Sequence, residues 1–313
     1  MIVSSGQALD IQGHRGARGL APENTLPAFA KALEIGVTTL EMDCAVTKDG
    51  VVVVSHDPAL NPDITRGPGG QWLARTGPAI RSLTYAELRR YDVGGLNPAS
   101  AYAGRWPEQQ PVDGTRIPRL ADVFALVQGS GNETVRFNIE TKISPLAPGE
   151  TTSPEDFARK LIAEIRGAKM EKRASVQSFD WRTLAVVQKE APEIPTVYLT
   201  SVSGFMDNIQ ATGDSPWTAG HRARDHGGSV PRMVKAAGGA VWSPYSGDVT
   251  PEAVKEAQAL GLKVVAWTVN DPAGMRHVIG LGVDGVISDR PDLLRKTAGE
   301  LGIALPRPTP VRP

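Results

Sequence analysis

Short runs of strand-forming residues recur along the chain, with amphipathic helical stretches between most of them. The runs cover residues 10–14, 39–45, 51–55, 136–140, 174–177, 196–199, 240–242, 263–269 and 285–287. Helical spacing appears between them. Leu26, Phe29, Ala30 and Leu33 fall at i, i+3, i+4 and i+7, and Trp181, Leu184, Ala185 and Gln188 follow an Asp180 cap. Strand then helix, repeated, predicts a parallel sheet, because parallel neighbours need a crossover between them.

A closed barrel of this kind has eight strands, so one of the nine runs needs another place. The run at 51–55 is separated from its predecessor only by Thr47-Lys48-Asp49-Gly50. That is hairpin length with an Asp-Gly turn, too short for a crossover, so the run is expected to fold back antiparallel. His56 and Asp57 would then arrive beside the barrel rim. The predicted fold is a (β/α)8 TIM barrel with a β-hairpin and an insertion after the second barrel strand, one catalytic domain over residues 1–305. Residues 57–116, rich in Gly and Pro and without strong period before the helix that starts near Leu120, form the insertion. A second long connection spans 200–228. Both follow strand C-termini, the face on which such barrels build their sites. Residues 306–313, with four prolines, are expected to be an extended tail outside the fold.

Composition narrows the function classes. With 313 residues, 41% apolar and 22% charged, the chain can bury a large core. Its 34 basic residues balance 34 acidic ones, which leaves no basic field for a nucleic acid or an anionic membrane. No apolar run approaches a membrane span. The single Cys44 excludes an internal disulfide and a cysteine-based metal site. The start, Met1 to Gly6, has neither a basic nor an apolar leader segment, so the chain as it begins reads as cytoplasmic, and as periplasmic or secreted if a signal peptide has been removed. Nothing in the pattern marks an oligomeric state.

The polar residues inside apolar strands fall late in those strands. His14-Arg15-Gly16 ends the first, Glu41 and Asp43 the second, His56-Asp57 the returning hairpin, Glu140 and Lys142 the next, then Gln177 and, further on, Trp267. Alternate strand residues share a face, so Leu40 and Met42 pack outward under helices while Glu41 and Asp43 face the lumen. Glu140 would join them at the rim. Three close carboxylates repel one another unless a cation sits among them, and an all-oxygen set suits Mg²⁺ or Ca²⁺, with Mn²⁺ also admissible, rather than zinc. Two histidines beside such a site, with Arg15 and Lys142 to neutralise phosphate oxygens, fit cleavage of a phosphodiester. A lone strand-end histidine is more often structural than catalytic; the carboxylates beside His14 and His56 reverse that weighting. His221, His226 and His277 read as structural or surface residues. Gly16 and Gly19 suggest a tight loop, one that either brings backbone N–H groups near phosphate or simply turns the chain.

In order and spacing, His14-Arg15-Gly16, Pro22-Glu23-Asn24-Thr25, Glu41-Met42-Asp43, Val53-Val54-Ser55-His56-Asp57, Ile139-Glu140-x-Lys142, Val176-Gln177-Ser178-Phe179, Trp267-Thr268-Val269-Asn270 and Gly285-Val286-Ile287-Ser288-Asp289 resemble the glycerophosphodiester phosphodiesterase family. The resemblance implies a metal-dependent barrel hydrolase that cuts glycerophosphodiesters into an alcohol and sn-glycerol 3-phosphate. It assigns His14 and His56 as the catalytic pair, Glu41, Asp43 and Glu140 as metal ligands, and Arg15 and Lys142 as phosphate contacts. Gln177 and Trp267 are expected to meet the substrate, Trp267 as a wall for its alcohol part. The insertion is expected to set affinity for that alcohol more than the chemistry. The alternative is a phospholipase D-like or sphingomyelinase D-like enzyme acting on lysophospholipids, which needs an apolar surface for its lipid.

Overall fold

Strands β1 (Asp10–Gly13), β2 (Thr39–Val46), β3 (Val52–Val54), β4 (Arg136–Thr141), β5 (Ala174–Ser178), β6 (Thr196–Thr200), β7 (Val241–Pro244), β8 (Lys263–Ala266) and β9 (Gly285–Ser288) form one sheet in a computed structural model that describes residues 8–203 and 206–313. Eight of them run parallel in the order β1-β9-β8-β7-β6-β5-β4-β2, and pairing of β1 with β2 closes the ring into a (β/α)8 barrel. β3 pairs antiparallel with the upper end of β2, Cys44 opposite Val54 and Val46 opposite Val52, as the short Asp-Gly turn requires. The reading of the start, residues 1–6, lies outside the described residues.

Helices α1 (Leu26–Ile35), α2 (Tyr85–Leu88), α3 (Leu120–Gly129), α4 (Pro154–Gly167), α5 (Trp181–Glu190), α6 (Val230–Ala236), α7 (Pro251–Ala259), α8 (Pro272–Gly280) and α9 (Pro291–Glu300) complete the set. Five of the barrel helices start the same way. Thr25, Ser153, Ser229, Thr250 and Asp271 each accept a backbone N–H with the side chain, and a proline stands in the first turn. A side-chain acceptor and a residue with no N–H to leave unpaired make a sharp start, so the loops above the strands end at defined points. Among the described residues no helix is long and apolar enough to cross a membrane.

The strands alternate between two cores. Leu40, Met42, Cys44 and Val46 of β2, Tyr198 of β6, Val264 and Ala266 of β8 and Val286 of β9 face outward into the layer beneath the helices. Leu199, Val265 and Ile287 point the other way and form a separate lumen cluster with Phe179 and Trp267. At 263–269 the structure departs from the expectation: β8 stops at Ala266, and Trp267 follows it as a single bridge to Tyr245. The apolar run is continuous enough to read as strand, but beyond Ala266 the pairing continues only as this bridge and as isolated bonds such as Val269 N–H to the Ile287 carbonyl.

The insertion is less of a loop than its lack of period implied. Leu60, Ile80, Leu88, Val93 and Ile117 pack on Ala45 and Val53 of the hairpin as a small core of their own. It carries one turn of α-helix, α2, held by a capping box between Thr84 and Glu87, and two 3-10 turns at Ile80–Ser82 and Ala103–Arg105. Single turns show no period, which is why the pattern was silent. The tail also needs correcting. Residues 306–313 run extended, but they are docked rather than outside the fold. Thr309 donates its backbone N–H to Leu33 and accepts from Asn132, Arg295 binds the Pro306 carbonyl, and Val311 packs on the main core. Proline-rich chain makes no internal hydrogen bonds, so its polar groups are free to pair with the body of the fold, as those of Pro306 and Thr309 do.

Candidate active site

The longest strand, β2, carries Glu41 and Asp43 to the lumen, and the register sets Asp43 opposite Glu140 of β4. Ligand oxygens of Glu41, Asp43 and Glu140 all lie within 4.8 Å of one another, and all three residues are buried. Glu41 accepts from the Arg15 backbone N–H at 2.8 Å and from Gln177 Nε2 at 2.7 Å. Asp43 Oδ2 accepts from Asn24 Nδ2 at 2.9 Å and lies 3.1 Å from Arg15 Nε. Lys142 Nζ sits 2.9 Å from Glu140 Oε1.

These neighbours split the three acids. Burial, then the charge of Asp43, pushes Glu41 well above the usual carboxylate range. Burial likewise carries Glu140 up to about 7, against the pull of Lys142. Burial would raise Asp43 too, but Arg15, His56 and Lys142 outweigh it and hold that carboxyl below its ordinary value. Oδ1 of Asp43 is buried without a hydrogen-bond partner. A buried acceptor without a hydrogen bond, beside two carboxyls that resist ionising, fits a hard divalent cation, and these three residues could hold one.

Each histidine is backed by an aspartate. His14 Nδ1 is 2.6 Å from Asp289 Oδ1, and His56 Nδ1 is 2.9 Å from Asp57 Oδ1. A carboxylate facing Nδ1 keeps the proton there and leaves Nε2 as the working nitrogen. For His14 that atom lies 3.9 Å from Glu41 Oε2. The aspartates are held in turn, Asp57 by Asn61 and Asp289 by Arg18 and Asn270. Burial first, then Arg15 and Lys142, lowers His56 to about 4. Burial lowers His14 as well, and Arg18 adds to it against the raising effect of Asp289.

A family profile described as the glycerophosphoryl diester phosphodiesterase family matches residues 14–293. The chain belongs to this family. It is 29% identical over 282 residues to a glycerophosphodiester phosphodiesterase of Caldanaerobacter subterraneus, covering 90% of this chain and 94% of that one. A Silicibacter pomeroyi protein whose crystal structure carries the same family name superposes with TM-score 0.85 at 36% identity, over 96% of both chains. An Oleispira antarctica phosphodiesterase, solved with the product sn-glycerol-3-phosphate, shares the fold at TM-score 0.66 and 21% identity, over 93% of this chain and 97% of that one.

In this member of the family, His14, Arg15, Glu41, Asp43, Glu140 and Lys142 are linked by the contacts above, and His56 stands close enough to feel the charges of Arg15, Lys142 and Asp43. Gln177 is different. It is buried beside the carboxylates, paired in register with Glu140, giving Nε2 to Glu41 and accepting from Asn138 at 2.8 Å, so its amide is engaged inside the lumen. Trp267 lies across the lumen, Nε1 donating to the Ser243 carbonyl at 2.9 Å, edge-on to Phe179 and tilted against Tyr245. The glycine loop does not serve as a phosphate cradle either. Gly16 donates its N–H to Gly13 and Glu41 carbonyls, Gly19 donates to Asp289, and a Cβ on Gly16 would stand 2.6 Å from the Ala28 carbonyl carbon. Close packing of the loop on α1 is what requires glycine there.

The residues behind the first rank had been missed: Arg18, Glu23, Asn24, Asp57, Asp289 and, from the insertion, Tyr102. Asp57 and Asp289 had a signal, since each ends a motif already singled out. Tyr102 had none.

Proposed function

We propose that this enzyme hydrolyses glycerophosphodiesters to a free alcohol and sn-glycerol 3-phosphate, with His14 and His56 as general acid and base. The observation that carries the reading is the pair of aspartate-backed imidazoles beside one cluster of three buried carboxylates. An alkoxide is a poor leaving group, so the P–O bond breaks near neutral pH only as a proton reaches the departing oxygen, while the attacking hydroxyl or water gives one up. One imidazole delivers the first proton and the other accepts the second, and the two exchange states before the next turnover. Nδ1–H bonding to Asp57 and Asp289 keeps both Nε2 atoms aimed and stabilises whichever ring is protonated.

Glu41, Asp43 and Glu140 would hold Mg²⁺, Ca²⁺ or Mn²⁺. Once bound, such an ion neutralises charge on the phosphate oxygens. Arg15 and Lys142 supply further positive charge at the same edge. Phe179, Tyr245 and Trp267 offer an apolar wall to the carbon atoms of one ester arm. Of the large apolar residues exposed among the described ones, Val112, Leu146 and Val202 stand on segments that follow strand C-termini while Leu301 and Leu305 do not, so the choice between a soluble diester and a lipid rests on the test below.

The test is turnover of glycerophosphocholine and of a lysophospholipid after chelation and re-addition of each cation, with sn-glycerol 3-phosphate read out in a coupled assay. Cation-dependent release from glycerophosphocholine is expected. Turnover of the lysophospholipid alone would transfer the assignment to the lipid-cleaving alternative.

A further inference from the structure

The insertion does more at this site than cover it. Residues 102–110 lie against the loop between β1 and α1, and they grip Arg18 from both ends. The Trp106 ring stacks on its guanidinium with the carbon 4.5 Å from the ring centroid, and Gln109 Nε2 donates to its carbonyl at 2.8 Å. Gln110 adds a backbone bond to Leu20, and Glu108 pairs with Arg290 beside Asp289. The Tyr102 hydroxyl stands at the centre. It accepts from Arg18 Nη1 at 3.2 Å and donates to Glu23, whose other oxygen takes Arg15 Nη1 at 2.5 Å.

Two chains of contact therefore start at one hydroxyl. Through Arg18 it reaches Asp289, which Arg18 binds with both Nε and Nη2, and so His14. Through Glu23 it reaches Arg15 and so Asp43. Arg18 bonds Asp289 and Tyr102 and stacks on Trp106, which makes it a brace rather than a phosphate ligand. Burial alone would discharge Glu23, but Arg15 and Arg18 keep it ionised, so the hydroxyl sits between fixed charges of opposite sign.

We infer that Tyr102 is a positioning residue for the reaction, a part of the catalytic machinery supplied by the insertion, which fixes His14 through Arg18 and Asp289 and fixes Arg15 through Glu23. The inference rests on the proposed diesterase reading. It differs from the expectation that the insertion governs only affinity for the alcohol.

Tyr102→Phe keeps the ring and removes the hydroxyl. Turnover should fall on the order of 10-fold on two diesters with different alcohols, with KM moving less than about two-fold. In an Arg18→Gln background the same change should cost clearly less than in the parent, because the path to His14 is already cut and only the path through Glu23 to Arg15 remains. A second readout needs no activity. The downfield imidazole N–H resonance of His14, assigned by its loss in His14→Asn, should shift or broaden in Tyr102→Phe. An unchanged resonance, a rise in KM at unchanged turnover, or full additivity with Arg18→Gln would each overturn the inference. If Tyr102→Phe does not fold, Trp106→Phe, which loosens the same guanidinium, takes its place with the same expected shift in the resonance. A wild-type protein that cleaves no diester while its resonance still responds to Tyr102 would instead refute the diesterase reading and leave the coupling standing.

Discussion

The two halves of the barrel lumen are built on different principles. On the side of β1, β2, β4 and β5 the inward positions are Gln12, Glu41, Asp43, Asn138, Glu140 and Gln177, all buried; side-chain hydrogen bonds join Gln12, Asn138, Gln177 and Glu41, while Asp43 is held by Asn24 and Glu140 by Lys142. On the side of β6, β8 and β9 they are Leu199, Val265 and Ile287, roofed by Phe179 and Trp267. In the polar half each group depends on a named partner at fixed distance, and loss of one atom strands another. In the apolar half only volume and shape matter, so the same loss is spread over many weak contacts. On the proposed function, the polar half would set the chemistry at a cost in stability, and the apolar half would set substrate fit.

The largest effects should come from the carboxylates. Glu41→Gln and Asp43→Asn are expected to bring activity to background and to remove divalent-cation binding, with the fold intact. In chelator, Glu41→Gln should melt at or above the parent temperature, because it replaces a buried acid that resists ionising with a neutral group of the same shape. Calorimetry with unchanged cation affinity in both variants would break the comparison at its root.

Next come the histidines. His14→Ala and His56→Ala should each lose roughly 10²- to 10⁴-fold in turnover, the size of one unassisted proton transfer. A nitrophenolate leaving group should rescue only the variant lacking the acid. Equal rescue of both, or of neither, would mean that the pair does not divide the work.

A change in the apolar half should look different. Trp267→Leu is expected to raise KM on the order of 10-fold and to alter the ranking of alcohols, with kcat held within about two-fold. A uniform fall in kcat for every diester would show that the two halves are not separable.

The smallest expected effect lies at the edge of the polar half and concerns stability. Bonds to His56 and Asn61 outweigh burial and bring Asp57 down to about 2, below its ordinary 3.8. A depressed carboxyl favours the folded state fully above the ordinary value and loses that contribution as pH falls from there through about 2. Side-chain exposure of 34% screens the interaction, so about 1 kcal/mol is at stake. Urea unfolding of Asp57→Asn across this window should show a flatter acid limb than the parent.

Much of this was open to reading from order along the chain. Strand alternation put Glu41 and Asp43 on one face and Leu40 and Met42 on the other, and a four-residue turn was enough to make β3 antiparallel. These are local constraints, in which the backbone periodicity acts over a few residues. The insertion was harder, since its packing on Ala45 and Val53 uses single turns with no repeat. Gln177 is expected from sequence to meet the substrate because its place late in a strand matches the others, yet its amide is engaged by Glu41 and Asn138 inside the lumen.

By itself the sequence determined the alternating elements, the hairpin, and the set of acids, imidazoles and cations that end the strands, because each follows from neighbours in the chain. Only the tertiary structure decided which of those groups touch. His14 meets Asp289 across 275 residues and Tyr102 meets Glu23 across 79, and closing such loops depends on barrel closure and on where the insertion docks rather than on any local preference. Proton placement and charge state at the site are set by those long-range contacts together with burial, since the cost of ionising a group depends on what surrounds it in space.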